Sequence, residues 1–359
     1  MKYRTLGRTG LKISELTMGT FSFGGDGPFG MVANQGVKEA RKLVDLNIDN
    51  GINLFDTANM YSTGLAEEIL GEVLEGRYND VLVTSKARMR IGDGPNDEGV
   101  SRWHLIRECE RSLKRLRTDH IDIYYMHEWD GITPVEEKTA ALDTLIAQGK
   151  VRYAGCSNYS AWHTMKSLAA APSHASRFAT QQIHYTLEAR EAEYELLPMA
   201  VDQGIGTLVW SPLAAGLLSG KHRRGQEAPE GSRQAAGWDE PPIRDMDRLW
   251  DIVDVLVGVA QEHDVEAAQI ALAWLLTRPS ISSLVVGGRN EKQFNQNFRA
   301  VDITLTQDQL KRLNDVSRLP LIYPYWHQHN FALQRLSDAD RALHDDYPDR
   351  HYAGEDNLI

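Results

Sequence analysis

The sequence holds four polar residues whose side chains could form one acid–base device: Asp56, Tyr61, Lys86 and His127. A phenol with a pKa near ~10 exchanges protons poorly at neutral pH. An adjacent lysine ammonium would lower that pKa, and a carboxylate would keep the ammonium charged and in place. A histidine on the other side would donate to a carbonyl oxygen. The set delivers a proton to an oxygen that gains negative charge, and it needs a separate hydride donor.

Repeated strand–helix units would carry these residues. Short β-prone runs alternate with amphipathic helical patterns such as residues 37–51 and 102–116. The eight runs end near Met18, Phe55, Ser85, Met126, Cys156, Ile183, Trp210 and Val286. This alternation predicts an α/β fold, a (β/α)8 TIM barrel, and residues 2–14 predict a β-hairpin in front of it. We expect one barrel over residues 1–319 and a C-terminal extension over 320–359 that forms a lid or a subunit contact.

Polar residues follow the predicted strands at the end where barrel enzymes carry their active sites. They are Asp56, Lys86, His127, Ser157, Asn158, Gln182, Ser211 and Arg289. The connection from Pro212 to about Arg244 breaks the strand–helix rhythm and is rich in Gly, Arg, Ser and Pro. We therefore expect these side chains on one rim of the barrel, beneath long loops.

Composition excludes several classes of protein. The chain has 359 residues and a net charge of −11 without a long basic run, which argues against a nucleic-acid surface. Its two cysteines have no metal-ligand spacing, so we expect no metal site and no disulfide framework, as in a reducing cytoplasm. The first residues lack a signal-peptide core, and no apolar run reaches the ~18 residues of a membrane span.

The stretch "GDGPFG", residues 25–30, matches the glycine pattern of dinucleotide-binding folds. In such folds a helix opens inside the motif, whereas here Pro28 and the segment "MVANQG" come before the next helical pattern. The pattern therefore favours a loop at the mouth of the barrel.

Eight short motifs, taken in order, resemble the aldo-keto reductase family over about residues 2–318. They are "MGTFSFG", "FDTANMY", "VLVTSK", "IDIYYMHEWD", "GKVRYAGCSNYS", "QQIHYTLEAR", "VWSPLAAGLLSGK" and "VVGGRNEKQFNQN". The resemblance implies reduction of an aldehyde or ketone by NADPH. Tyr61 would be the general acid, tuned by Lys86 and Asp56, and His127 would orient the carbonyl.

The resemblance also implies a set of residues that bind NADPH/NADP+. Those at the nicotinamide would be Ser157, Asn158, Gln182 and the stacking Trp210, those at the pyrophosphate Ser211, Leu213, Gly216 and Lys221, and those at the adenosine Gly287, Arg289, Gln293 and Asn297. Arg289 opens a helical pattern, so its guanidinium and a helix N-terminus would both face a 2′-phosphate. This favours NADPH over NADH.

Aromatic residues near the rim are candidates for the substrate pocket: Phe23, Trp129, Trp238, Tyr325 and Trp326, with Met31 and Tyr323 beside them. The tail motif "YPYW" is similar to that of family members that reduce sugar-like or bulky polycyclic ketones, including keto forms of fungal toxins. The sequence leaves the substrate, its stereochemistry and the oligomeric state open.

Two other functions remain open at this stage. The resemblance extends to channel-associated β subunits, which keep the barrel and the cofactor but act as interaction proteins. A barrel lyase or epimerase would instead use Lys86 as a Schiff-base nucleophile and need no nicotinamide. Binding of a nicotinamide cofactor would distinguish the reductase and the channel-type subunit from the lyase or epimerase. Turnover of a carbonyl substrate would distinguish the reductase from the channel-type subunit.

Overall fold

The structure, a computed structural model, describes residues 1–26 and 30–347. The middle of the glycine pattern at 25–30 and the last residues of the acidic tail, 348–359, lie outside this range. In the described part, no helix combines the length and the apolar character that crossing a membrane requires.

Eight parallel strands close into a barrel, which confirms the predicted fold. In order around the barrel, the strands are β10 (Ile281–Val286), β3 (Leu16–Gly19), β4 (Leu54–Asp56), β5 (Leu82–Ala87), β6 (Ile121–Met126), β7 (Val151–Ser157), β8 (Phe178–His184) and β9 (Gly206–Trp210). Each ends within two residues of its predicted end. Three of them, β3, β4 and β6, are buried along their whole length and the other five over most of it, as expected of strands covered on both faces.

The predicted hairpin is formed by β1 (Tyr3–Thr5) and β2 (Lys12–Ser14), which pair antiparallel. Leu6 and Ile13 are fully buried and pack in one cluster with the barrel residues Leu54, Tyr125 and Leu208. The amide of Arg8 donates to the carbonyl of Gly204, just before β9 begins. The hairpin therefore closes the end of the barrel opposite the carboxyl ends of the strands.

Helices surround the barrel and cover its outer face. They are α1 (Val37–Asp49), α2 (Leu65–Val73), α3 (Arg102–Leu116), α4 (Val135–Ala147), α5 (Ala161–Ala170), α6 (Leu196–Gln203), α7 (Met246–Glu262), α8 (Ala267–Leu276), α9 (Glu291–Phe298), α10 (Gln307–Ser317), α11 (Tyr325–Phe331) and α12 (Asp338–His344). In α3, Ser101 caps the N-terminus by accepting from the amide of His104, and Leu105, Cys109 and Leu116 form its buried face.

The described part of the C-terminal extension lies on the outer helices rather than over the mouth. Its α12 packs on α6. The Tyr325 ring stacks on Tyr194 at 5.4 Å between centroids. Asp346 forms ion pairs with Arg190 at 2.6 Å and Arg278 at 2.7 Å. A buried charge is costly unless it has a partner. Asp346 is the partner that the extension supplies to Arg190 and Arg278, so these ion pairs attach the extension to the barrel.

Candidate active site

Three of the predicted acid–base residues form a connected cluster, in which Asp56 and Lys86 are buried and Tyr61 is partly buried. Asp56 ends β4 and Lys86 lies near the end of β5, so both side chains reach the same rim. Lys86 Nζ donates to Asp56 Oδ2 at 2.6 Å and to the backbone carbonyl of Thr57 at 2.8 Å. It also lies 3.5 Å from the Tyr61 hydroxyl. The short turn after β4 thus returns Tyr61 to the ammonium.

The environment sets the protonation states of this cluster. Burial raises the pKa of Tyr61 above its ordinary value, and this effect outweighs the opposing attraction of Lys86. The ammonium acts in the direction predicted from the sequence, but desolvation is the larger effect and the net pKa of the phenol is raised. The pKa of Lys86 is also raised, because Asp56 and Tyr61 outweigh the effect of burial. At neutral pH the cluster therefore holds a protonated phenol beside a charged ammonium.

His127 lies beside the phenol at the end of β6. Its ring centroid is 5.9 Å from that of Tyr61 in an edge-on arrangement. Burial and then Lys86 hold the pKa of His127 well below its usual value, so the imidazole is neutral at neutral pH. Its buried Nδ1 has no hydrogen-bond partner within the described residues. A neutral imidazole carries one N–H donor, which suits contact with a carbonyl oxygen.

A cavity of about 1170 Å³ opens at this rim. Asp56, Tyr61 and His127 line it, and Lys86 lies beneath them, fully buried. The cavity is also lined by every residue expected to bind the cofactor: Ser157, Asn158, Gln182, Trp210, Ser211, Leu213, Gly216, Lys221, Gly287, Arg289, Gln293 and Asn297. The structure thus gathers in one groove residues from all eight strand–loop units.

At the inner end of the groove, polar side chains hold one another in fixed orientations. Trp210 Nε1 donates to Asn158 Oδ1 at 2.9 Å, and Asn158 Nδ2 donates to the carbonyl of His127 at 3.2 Å. The ring of His184 lies 4.6 Å from that of Trp210. Gln182 Nε2 donates to Asp56 Oδ1 at 2.8 Å. The side-chain oxygen of Gln182, Oε1, has no protein donor among the described residues. The face of Trp210 and the amides of Asn158 and Gln182 suit a planar ring that carries a carboxamide.

The outer end of the groove is cationic. Lys221, Arg233 and Arg289 line it, and none of them forms an ion pair within residues 1–26 and 30–347. Burial and then Arg289 lower the pKa of Arg233 against a smaller opposing effect of Glu240, so two guanidinium groups lie near each other. Such a grouping needs an anion for balance. A long groove with a carboxamide site at one end and cations without ion pairs at the other fits a nicotinamide dinucleotide.

An apolar chamber adjoins Tyr61. Its walls include Phe21, Met31, Met60, Met89 and Trp238. The Phe21 ring meets Tyr61 at 5.2 Å and Trp238 at 5.7 Å, both edge-on. Trp238 and Arg233 belong to the long connection after β9, which folds over the cavity. The sequence did not predict four of the lining residues: Phe21, Met60, Met89 and Arg233. For Phe21 a signal was present in "MGTFSFG", since Phe21 comes two residues after the end of β3, on the rim.

The structure does not bring four other expected residues into the cavity. Phe23 is fully buried in the core because its backbone bridges to Gln35 and turns the ring inward. Tyr325 and Trp326 lie on α11, where Tyr325 donates to Glu195 at 3.0 Å. Tyr323, in the same segment, is 73% exposed. Of the aromatic candidates, only Trp238 lines the cavity.

Trp129 also lies away from the cavity, in a cluster between two rim loops. Its ring stacks on His163 at 3.8 Å and meets Tyr159 edge-on at 5.1 Å. The ammonium of Lys138 lies 4.0 Å from the Trp129 ring and donates to the Tyr159 hydroxyl at 3.0 Å. Trp129 is thus held by residues of α4 and α5 and covers a buried lysine.

A (β/α)8 barrel with a tyrosine–lysine–aspartate cluster at the carboxyl ends of its strands defines a class of barrel oxidoreductases. A family model described as the aldo/keto reductase family matches residues 15–318, and the chain belongs to this family. The chain is 39% identical to an uncharacterized oxidoreductase, YrpG, of Bacillus subtilis, over 88% of this chain and 96% of the relative.

Two further relatives carry different names. A probable voltage-gated potassium channel subunit beta of Arabidopsis thaliana is 37% identical over 84% of this chain and 92% of its own length. A versiconal hemiacetal acetate reductase of Aspergillus parasiticus is 30% identical over 90% of this chain and 99% of its own length. The family supports an oxidoreductase that uses a nicotinamide cofactor and acts on small carbonyl compounds.

Proposed function

We propose that the protein reduces an aldehyde or ketone to an alcohol with NADPH. One observation carries the proposal. The Tyr61 phenol lies 3.5 Å from the buried Lys86 ammonium and lines a cavity. This cavity joins the apolar chamber to the groove whose outer end is cationic. This is the arrangement needed to place a carbonyl between a proton donor and a bound nicotinamide.

The residues would divide the work as follows. When bound, the cofactor supplies the hydride to the carbonyl carbon. Tyr61 is protonated at neutral pH because burial raises its pKa, so it donates the proton to the carbonyl oxygen. Lys86, held by Asp56, stabilises the phenolate that remains. Neutral His127 donates its N–H to the same oxygen and fixes the direction of the carbonyl.

The apolar chamber supports a bulky ketone, such as a polycyclic ketone or a keto mycotoxin, over a sugar. Five apolar side chains beside Tyr61 match a large apolar surface, whereas a sugar needs hydrogen-bond partners for its hydroxyl groups. The relative named versiconal hemiacetal acetate reductase is in accord with this preference.

The two buried cysteines are free, which supports a reducing compartment such as the cytoplasm.

The test is consumption of NADPH and NADH against small aldehydes, sugars, quinones and bulky cyclic ketones. Tyr61→Phe should abolish turnover and leave NADPH binding intact. Tyr124→Phe is the matched control, because Tyr124 is a fully buried tyrosine of β6 whose hydroxyl makes, among the described residues, one long hydrogen bond to the carbonyl of Leu105 at 3.5 Å. If Tyr61→Phe keeps its activity, the proton-donor assignment is wrong. If NADPH does not bind, the cofactor assignment is wrong as well.

A cofactor-bound interaction protein is the second candidate. Its support is the 37% identity to a probable potassium channel β subunit over 92% of that relative. This candidate predicts tight NADPH binding, no turnover with any carbonyl of the panel, and a complex with a channel's cytoplasmic domain on size-exclusion chromatography. Turnover that depends on Tyr61, without such a complex, would exclude it.

A further inference from the structure

The Asp56 carboxylate is more fully held than its partnership with Lys86 requires. It is 2% exposed, and Lys86 binds only its Oδ2. Its Oδ1 accepts two further hydrogen bonds, from Thr84 Oγ1 at 2.6 Å and from Gln182 Nε2 at 2.8 Å. A buried carboxylate is stabilised only when donors replace the water it has lost. Three donors from two other strands therefore fix both oxygens of Asp56.

Strand register explains why Thr84 reaches this position. Thr84 is the direct partner of Asp56 in the β4–β5 pairing, and Lys86 follows it by two residues. Alternate residues of a strand point to the same face, so Thr84 and Lys86 both face the carboxylate. Strand β5 thus supplies a donor to each oxygen of Asp56, Thr84 to Oδ1 and Lys86 to Oδ2. Thr84 is fully buried and lies outside the cavity lining, so its hydroxyl serves Asp56 without facing the cavity.

Gln182 reaches Asp56 from the opposite side of the barrel. Its strand, β8, lies four strands from β4 in either direction around the closed barrel. One N–H of its side-chain amide is donated to Asp56, and its side-chain oxygen Oε1 can accept from a carboxamide N–H. Gln182 therefore links the proposed nicotinamide site to the carboxylate that anchors Lys86.

We propose that Thr84 is a positioning residue for proton delivery, and that with Gln182 it holds Asp56 in the orientation that keeps Lys86 against Tyr61. This inference rests on the proposed reductase function. Without the Thr84 hydroxyl, Asp56 Oδ1 keeps a single donor and the carboxylate can rotate away from the ammonium. Lys86 then loses its fixed place 3.5 Å from the phenol, and the proton-transfer step slows.

The experiment compares Thr84→Val, which keeps the shape but removes the donor, with Thr84→Ser, which keeps the donor. Thr84→Val should lower kcat by about tenfold, the size expected for one lost hydrogen bond to a charged group. Thr84→Ser should restore kcat, and KM and the dissociation constant for NADPH should change less than about twofold in both. Thr84→Cys keeps a weaker donor and should lie between them, which gives a second measurement should the valine variant fold poorly.

Thr17→Val is the matched control. Thr17 is a fully buried threonine of β3 whose hydroxyl bonds to that of Ser283 at 2.6 Å, away from Asp56. It should lose stability as Thr84→Val does and keep its kcat. A spectroscopic signature independent of turnover is the ¹⁵N–¹H signal of the Lys86 ammonium, assigned with Lys86→Met. It should shift in Thr84→Val and stay in place in Thr17→Val.

The proposal is overturned by a kcat of Thr84→Val within about twofold of wild type, or by an unmoved Lys86 signal. An equal loss in Thr17→Val would reduce the effect to general destabilisation and would also refute a positioning role. Failure of the proposed function has a different signature: the wild-type protein would turn over no carbonyl of the panel, or Tyr61→Phe would retain activity, whatever the Thr84 variants do to the Lys86 signal.

Discussion

The buried ammonium of Lys138 should make the protein less stable at neutral pH than a neutral side chain would. Lys138 is fully buried, has no ion pair in the described part of the chain, and lies between the Trp129 and Tyr159 rings at 4.0 and 4.6 Å. Burial lowers its pKa from 10.5 to about 8. We therefore predict that Lys138→Met stabilises the protein at pH 7.

The magnitude follows from the shift. A fall from 10.5 to about 8 corresponds to about 3 kcal/mol of lost stability at pH 7, at ~1.36 kcal/mol for each pKa unit. The two ring contacts favour the charged form and offset about 1 kcal/mol of this. Removing the charge should therefore raise the free energy of unfolding by about 2 kcal/mol.

The pH dependence has a definite sign. Between about pH 8 and 10.5 the unfolded chain still binds the proton that the folded protein has lost, so Lys138 makes stability rise with pH. The advantage of Lys138→Met should be largest at pH 7 and shrink toward pH 10. Subtracting the two urea-unfolding curves, followed by circular dichroism, cancels the other titrating groups.

Lys166→Met is the control, because Lys166 is an exposed lysine of the neighbouring α5. It should change stability by less than about 0.5 kcal/mol at any of these pH values. The reasoning would be refuted by a Lys138→Met protein that is less stable at pH 7, or by a difference that stays constant with pH. The first result would mean that the aromatic rings stabilise the ammonium more than burial destabilises it, and the second that folding does not shift the pKa of Lys138.

Three further predictions concern the cofactor, the proton donor and the C-terminal extension. Arg289→Gln should raise the dissociation constant of NADPH by about 10- to 100-fold and leave that of NADH nearly unchanged; fluorescence titration measures both, and an equal loss would contradict a 2′-phosphate contact. Because burial raises the pKa of Tyr61, the rate of reduction should stay flat between about pH 6 and 9; an alkaline limb near neutrality in the pH–rate profile would contradict it. Although burial acts the other way, Arg278 and Arg190 lower the pKa of Asp346, so the stability it contributes is present above the ordinary carboxyl pKa and lost in acid. Asp346→Asn should thus lower the free energy of unfolding by about 3 kcal/mol at pH 7 without changing kcat, and thermal unfolding that matches wild type would show that the ion pairs add nothing.

The acid–base cluster was predictable because its placement depends on strand ends. The carboxyl ends of parallel strands meet at one rim, so polar residues after two runs recognised as strands must lie close together. Asp56 and Lys86 followed from this rule alone. Their protonation was not predictable in the same way, since the pKa of Tyr61 depends on how deeply the phenol is buried.

The substrate chamber was less predictable because loop residues have no period. Phe21 and Phe23 lie two residues apart after β3, yet one faces the cavity and the other the core, because a backbone bridge to Gln35 turns the chain between them. Trp129 follows His127 by two residues, but the side it faces is set by Tyr159 and His163, which come from the next strand–helix unit. Such choices depend on tertiary contacts that a local pattern does not contain.

The position of the C-terminal extension separates two kinds of evolutionary change. None of the described residues 320–347 lines the cavity, and the match to the aldo/keto reductase family ends at residue 318. Substitutions in the extension can therefore accumulate, or the segment can be exchanged between homologues, under selection for stability or association alone. Selection for a new substrate acts instead on the loops that carry Phe21, Met89 and Trp238. The extension and the residues that line the cavity can thus change independently.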